Sequence, residues 1–447
     1  MSSLRGQLFE SLPGDEVTQR ASRSLLATLS TQAGRFVLQL CSTVLMARLL
    51  PPEDFGLIAM ALVITNFIGA FRDVGLTQAT VQAATIRHSQ INTLFWLNTF
   101  FCLALFIVVA LGAPLVERLY GDERLLWLTI VLGSTIVLSG PGLQHLAILQ
   151  RNLKFGKIAR ADLLANSLAL VAGLCAALHG AGYWAIAWMA VIQTATNSAL
   201  LWHLSDWRPS RPQWSDGMRP LLSFGGNLTG FSFVNYFARN ADNFLIGKFV
   251  GPGALGHYSK AYQLMMLPIQ QINGPIAAAL VPTLSRLQNQ PAEFAALYLQ
   301  WSGRIAWMTA IPIASMVYFG EDLVVFLLGD TWQPAGELFQ WLALASVLQP
   351  LSNFMGVCFI ATGETRRMFY WGCASSVLIV MAFVGGLAVG GVQGLAIAYA
   401  LVCNLLFPLL VHYTLTTSPI GITDYYRRIV CPVLIALTLC MAALRFA

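Results

Sequence analysis

Residues 32–50 read QAGRFVLQLCSTVLMARLL, and within that stretch Gln32, Arg35, Gln39 and Ser42 stand three, four and three positions apart. Such spacing puts four polar side chains on one face of an α-helix. Phe36, Val37, Leu38, Leu40, Val44 and Leu45 cover the rest, so the helix is greasy on most sides and polar on one. A helix of that kind borders both hydrocarbon and something wet. Two hundred positions later the face returns as Ser232, Asn235, Arg239 and Asp242. A chain that builds this face twice in register is expected to fold as two similar halves facing each other across a polar cavity.

Composition agrees with a membrane setting. The 447 residues are 57% hydrophobic and 10% charged, with a mean hydropathy of +0.66, whereas a soluble domain carries roughly 25% charged residues. Apolar runs of about 20 residues, enough to cross ~30 Å of hydrocarbon, lie near 23–49, 54–82, 91–116, 123–147, 157–179 and 182–204. A second set lies near 220–249, 254–284, 297–328, 335–361, 367–389 and 392–415, with one more near 427–445. The expected class is an all-α polytopic membrane protein of two parallel six-helix lobes with about 12–14 transmembrane helices. Its parts are a cytoplasmic tail over 1–22, an N-lobe over 23–205, a cytoplasmic loop over 206–219, a C-lobe over 220–415 and an extra helix over 416–447.

Basic residues set the orientation. With the N-terminus inside, sixteen of the 26 Lys and Arg fall in inner loops, six on the outer side and four within spans. That bias is the one expected of a cytoplasmic N-terminus. The net charge of +6 is therefore topology, and no nucleic-acid partner is expected. The eight cysteines show no CxxC spacing and read as packing residues. The six histidines show no metal spacing. There is no GxxxxGK[ST] loop, so no ATP partner and no cofactor are expected.

The duplication extends beyond the opening helix. At an offset of 200, Leu45, Pro52, Gly56, Ala61, Ala79 and Val81 meet Leu245, Pro252, Gly256, Ala261, Ala279 and Val281. At 208, Gly112, Leu115, Val116, Leu119, Gly121 and Asp122 meet Gly320, Leu323, Val324, Leu327, Gly329 and Asp330. At 211, Ala185, Ile186 and Ala187 meet Ala396, Ile397 and Ala398. Six spans per copy is an even number, so both halves enter from the same side as parallel repeats.

An arginine near the middle of a span costs roughly 2.5 kcal/mol or considerably more, which makes Arg35 the first functional candidate. Its plain alternative is a structural arginine satisfied by a neighbouring helix. Arg239 and Asp242 are three residues apart and could pair on one helical face. Asp73 shares a face with Asn66, Thr77 and Thr80, and Asn273 with Gln270 stands at the matching place in the second copy. Asp73 and Asp242 are candidates for carrying a coupling proton or sodium ion, the choice of ion being open; Asp73 could instead only neutralise Arg35 or Arg72. Glu53 and Asp54 read as solvated charge at a span end, and Arg304, close to a span end, reads as snorkelling to water.

The run Ala47-Arg48-Leu49-Leu50-Pro51-Pro52-Glu53-Asp54-Phe55-Gly56-Leu57, followed by Phe71-Arg72-Asp73-Val74-Gly75-Leu76, resembles the opening of the polysaccharide-transport branch of the multidrug/oligosaccharidyl-lipid/polysaccharide exporter superfamily. Leu255-Gly256-His257-Tyr258 and Val281-Pro282-Thr283-Leu284-Ser285-Arg286-Leu287 agree, and the resemblance covers about 23–415. It implies a Wzx-type flippase of the bacterial inner membrane that moves an undecaprenyl-diphosphate-linked oligosaccharide. Membrane lipids, a polysaccharide polymerase and chain-length machinery would be its partners. Arg35, with Arg239 or Arg72, would supply cations for the diphosphate. Gln32, Gln39, Asn66, Asn235 and Gln270 would supply hydrogen bonds for the sugars. Two competitors are a cation-coupled multidrug exporter of the same superfamily and a membrane oligosaccharide ligase or polymerase. The first prefers acidic and aromatic cavities, and the second a large catalytic outer loop.

Overall fold

A computed structural model describes residues 33–73, 75–83, 86–212 and 240–446. Gln32, Asn235 and Arg239 lie outside them. The described residues are helical throughout, with no strand. The chain forms two compact units, Met1–Tyr236 and Phe237–Ala447.

In the first unit a helix over 33–49 (α1) leads through Leu50 and Pro51 into α2, Pro52–Gly69. There the expected second span breaks, and it resumes as the short α3, Leu76–Gln82. Gly75 makes the break possible. Its φ of 68° is left-handed, a region where a side chain costs roughly 1–2 kcal/mol. Ahead of it the amides of Phe71 and Arg72 turn back to Ile68 and Gly69 at 3.1 Å each, closing α2 with a tighter turn. Asp73 then accepts the Thr77 amide at 2.9 Å and the Thr77 hydroxyl at 2.5 Å, and so starts α3. Arg151 closes the other end, donating to the Thr80 carbonyl at 3.0 Å.

Four long helices complete this unit: α4 His88–Tyr120, α5 Arg124–Arg151, α6 Phe155–Leu178 and α7 Tyr183–Leu204. Helices α6 and α7 form an antiparallel hairpin. Ala161, Ala165, Ala169 and Gly173 recur every fourth residue along the buried stripe of α6, the small-residue seam that lets membrane helices approach closely. A Cβ on Gly173 would meet the Met189 Sδ at 3.1 Å, and one on Gly142 of α5 would meet the Ser198 Oγ at 2.9 Å. Ile91, Leu94 and Phe95 of α4 pack with Ile148 and Trp207 at one end of the core. There the chain after α7 is stitched to α4. Asn92 donates to the Arg211 carbonyl and accepts the Ser210 amide, both at 2.9 Å, while the Trp96 indole donates to the Ser210 carbonyl at 2.8 Å.

The second unit begins with a helix over 240–249 (α8) and the long α9, Pro252–Arg286. Next come α10 Pro291–Tyr318 and α11 Gly320–Leu328, bent by 77°. A 3-10 turn at Asp330–Trp332 leads to α12 Gln333–Ala345, and α13 Gln349–Ala361 follows after a 42° bend. The helix α14, Thr365–Leu415, is two spans joined at Gly390 and Gly391, the latter at φ 60°. The last helix, α15 Ile422–Phe446, belongs to this unit's core: Tyr425 and Ile429 are buried with Tyr298, Phe354, Met355 and Val411.

Six described helices are long and apolar enough by themselves to cross a membrane, and the two bent pairs raise the number to eight. The protein is a multi-pass membrane protein. Helix α7, though 22 residues long, is not among the six. Gln193, Thr194, Thr196, Asn197 and Ser198 interrupt its apolar run.

Candidate functional site

Unwound backbone inside a span needs partners for its N–H and C=O groups, and hydrocarbon has none to offer. Such a segment is tolerated where it lines a wet cavity. The break between α2 and α3 borders a cavity with polar residues in its wall. This cavity of about 510 Å³ within the first unit is bordered by Ala70, Arg72 and Asp73 of the break, with Asn66 of α2, Thr135 of α5, and Gln193 and Thr194 of α7. Arg72 is exposed toward it, and Asp73, half-buried, holds Thr77 while lining it.

A second polar group lies on the α6–α7 hairpin. Asp162 and Asn166 are one turn apart on α6, Gln193 and Asn197 one turn apart on α7, and the antiparallel hairpin sets them opposite one another. Asn197 donates to the Asp162 carboxylate at 2.6 Å, and Gln193 donates to the Asn166 side-chain oxygen at 3.2 Å. Asn166 also donates to the Asp162 carbonyl at 2.7 Å. The other carboxylate oxygen of Asp162 pairs with the Arg35 guanidinium of α1. The Arg35 side chain keeps 45% of its surface exposed and that of Asp162 19%. Gln193 belongs both to this network and to the cavity wall, so it joins the Arg35–Asp162 group to the cavity that Arg72 borders.

The remaining expected site residues are dispersed. Gln39 is exposed on α1, one turn from Arg35, and Ser42 donates to the Met189 thioether at 3.7 Å. Gln270 is exposed on α9. Asp242 is 3% exposed and accepts the Tyr258 hydroxyl at 2.8 Å, so its carboxylate is enclosed in the second unit rather than set on an open face. The sequence leaves Asp73 as one open choice of counter-ion for Arg35 or Arg72; the Arg35 guanidinium pairs with Asp162. Glu53 fits the expectation of solvated charge, exposed and paired with Arg124 at 2.8 Å. Asp54 does not, since it is buried and accepts the Tyr183 amide at the start of α7. Gly182, at φ 56°, leaves room for that carboxylate, whose Oδ2 would lie 3.3 Å from an added Cβ. Arg304 is exposed, with its guanidinium 5.0 Å from the centre of the Trp301 ring.

Asp162, Asn166, Gln193 and Asn197 escaped the sequence reading. Their signal is two polar pairs at i,i+4 inside otherwise apolar helices, the same kind of stripe that drew attention to α1.

Comparison with known proteins places these features in a group. The chain is 24% identical over 373 residues to the teichuronic acid biosynthesis protein TuaB of Bacillus subtilis, covering 83% of this chain and 77% of that one. It is 24% identical over 371 residues to the lipopolysaccharide biosynthesis protein WzxC of Escherichia coli, covering 82% and 75%. The solved structure of the lipid II flippase MurJ, in an inward closed conformation, superposes with a TM-score of 0.71 at 14% identity, covering 94% of this chain and 98% of that one. Such a likeness establishes the fold. Residues 45–337 match the family model described as polysaccharide biosynthesis protein, and the chain belongs to that family.

Proposed function

We propose that the protein is a flippase that carries an undecaprenyl-diphosphate-linked oligosaccharide between the leaflets of a bacterial cytoplasmic membrane, by alternating access and without making or breaking a bond. The final product would be an exopolysaccharide, lipopolysaccharide or capsule. The observation that carries this reading is the polar wall of the first unit, where two arginines stand among amides and hydroxyls beside an unwound helix. A diphosphate needs cationic forks, and Arg supplies them in the geometry that phosphate oxygens accept. A sugar chain needs exchangeable hydrogen bonds, and Asn66, Thr135, Gln193 and Thr194 offer them around a cavity large enough for several sugar hydroxyls. The excess of Lys and Arg in alternate loops supports an N-terminus in the cytoplasm, the side on which such a substrate would be assembled. A polymerase and chain-length machinery would act on the delivered product.

Leaflet exposure of a fluorescent undecaprenyl-diphosphate oligosaccharide in proteoliposomes tests the proposal. Movement above that in protein-free vesicles is the expected result. No movement under any proton or sodium gradient, together with transport of organic cations, would overturn it in favour of a multidrug exporter.

A further inference from the structure

Asp162 is held more firmly than a simple counter-ion requires. One carboxylate oxygen meets Arg35 and the other accepts from Asn197 at 2.6 Å, while Asn166 donates to its backbone carbonyl at 2.7 Å. The hairpin does not need this pair to stay closed, because the Ala161, Ala165, Ala169 and Gly173 seam already packs α6 on α7. The carboxylate is thus a fixed anion presented to α1. Arg35 meets it with part of its fork and leaves the remainder open, with 45% of the side chain exposed. A guanidinium within a span cannot face hydrocarbon cheaply, so the exposed part of Arg35 is available to a polar ligand beside Asp162.

A carboxylate and a phosphate offer a guanidinium the same thing, two anionic oxygens in a plane. Resting on the flippase reading above, we propose that Asp162 is a resident stand-in for the substrate's phosphate, and so a positioning residue that acts through Arg35. Without substrate it keeps Arg35 compensated and aimed along the polar wall. An arriving diphosphate takes the guanidinium over. When the lipid leaves, Asp162 takes Arg35 back. During capture the Asp162 carboxylate gives up the guanidinium and keeps the Asn197 hydrogen bond, which favours release, and on departure the re-formed pair leaves no uncompensated arginine in the membrane. A grip without a competitor would bind more tightly and release more slowly.

The test is equilibrium binding of farnesyl diphosphate to the purified full-length protein, with thermal unfolding of each variant as the check on folding. Asp162→Asn keeps the shape and removes the competing charge. It is expected to bind the probe roughly five- to tenfold more tightly, the size of effect that one charge in a close pair can exert. Arg35→Gln is expected to bind more weakly than the native chain, and the double variant is expected to match Arg35→Gln because no guanidinium remains to be released. Asp162→Glu keeps the charge and is expected to behave as native, which gives a second reading if the Asn variant folds poorly. In proteoliposomes Asp162→Asn is expected to lower KM and the maximal flipping rate together, a split that a structural role would not produce. Unchanged or weaker binding by Asp162→Asn, with Arg35→Gln still impaired, would overturn the stand-in role and leave the flippase reading standing. If Arg35→Gln binds the probe as well as the native chain, Arg35 does not hold a diphosphate, and both ideas fall.

Discussion

The two copies of the repeat carry the same spans and break them in opposite places. In the first copy the second span is broken, α2 and α3 parting at Gly75, while the third and fourth, α4 and α5, run unbroken for 33 and 28 residues. In the second copy the second span is the continuous α9 of 35 residues, and the third and fourth are bent by 77° and 42°. Where the first copy has Gly75 at φ 68°, the second has Pro275, and α9 runs through it although a proline removes one helical hydrogen bond there. Where the first copy has Ala113 and Pro114 inside α4, the second has Glu321 and Asp322 in the first turn of α11, and acidic side chains there favour a new helix start. The break of the first copy borders the polar cavity described above, and the breaks of the second copy fall in its third and fourth spans.

The largest expected difference separates Arg35 from Asn235, its equivalent in the other copy. Arg35→Ala is expected to slow flipping on the order of 100-fold, since losing one partner of a hydrogen-bonded charge pair costs about 2–5 kcal/mol. Asn235→Ala removes a neutral polar group, whose hydrogen bond to a substrate would be worth about 1 kcal/mol, and is expected to cost a few-fold. Equal losses in proteoliposome assays would dissolve the asymmetry. Next comes Tyr258→Phe, which strips the hydroxyl donor from the enclosed Asp242 carboxylate and leaves it the Asn243 amide. It should destabilise the second unit by roughly 1–3 kcal/mol, read as a lower unfolding temperature in detergent, with affinity for a lipid diphosphate unchanged.

The glycines sharpen the contrast further. Gly75→Ala forces a Cβ into left-handed backbone and is expected to cost about 1–2 kcal/mol. Gly274→Ala in α9 meets nothing within 4 Å and is expected to be neutral or to stabilise by up to about 1 kcal/mol. Thermal unfolding of the two variants side by side checks the pair. The smallest effect belongs to Lys154 and Asp206, an exposed ion pair at 2.8 Å. The hydrogen bond from Lys154 holds the Asp206 carboxyl below its usual range. Its contribution is therefore present above that range and is lost as pH falls through the depressed value. Lys154→Ala should cost no more than about 1 kcal/mol near neutrality, and the difference from native should vanish in acid.

The polar stripe on α1 and the duplication were legible because helical periodicity and fixed offsets survive in one-dimensional sequence. Arg72 and Asp73 stood out as charges inside an apolar run, and both border the cavity. The breaks were not legible from hydropathy, since 54–82, 297–328 and 335–361 are each apolar on average and the charges within the first two read as single polar residues of one span. What breaks them is local backbone chemistry at Gly75, at Glu321 and Asp322, and at Pro350. The Arg35 partner was hidden for a different reason. Asp162 lies five helices further on, in α6, and only the fold brings the two together. Asp242 was read as a polar-face residue because Tyr258, sixteen positions on, carries no periodic signal that it will close over the carboxylate.

The central claim is that the wall running from Arg35 through Gln193 to Arg72 is wet and meets the substrate. In a cysteine-free background, Gln193→Cys on that wall and Leu168→Cys on the outward side of α6 can be exposed to a membrane-impermeant thiol reagent, with and without an undecaprenyl-diphosphate oligosaccharide. The expected result is labelling of Gln193→Cys, slowed by the lipid-linked sugar, and none of Leu168→Cys. A Gln193→Cys thiol as unreactive as that at 168, or one whose labelling ignores the lipid, would contradict it.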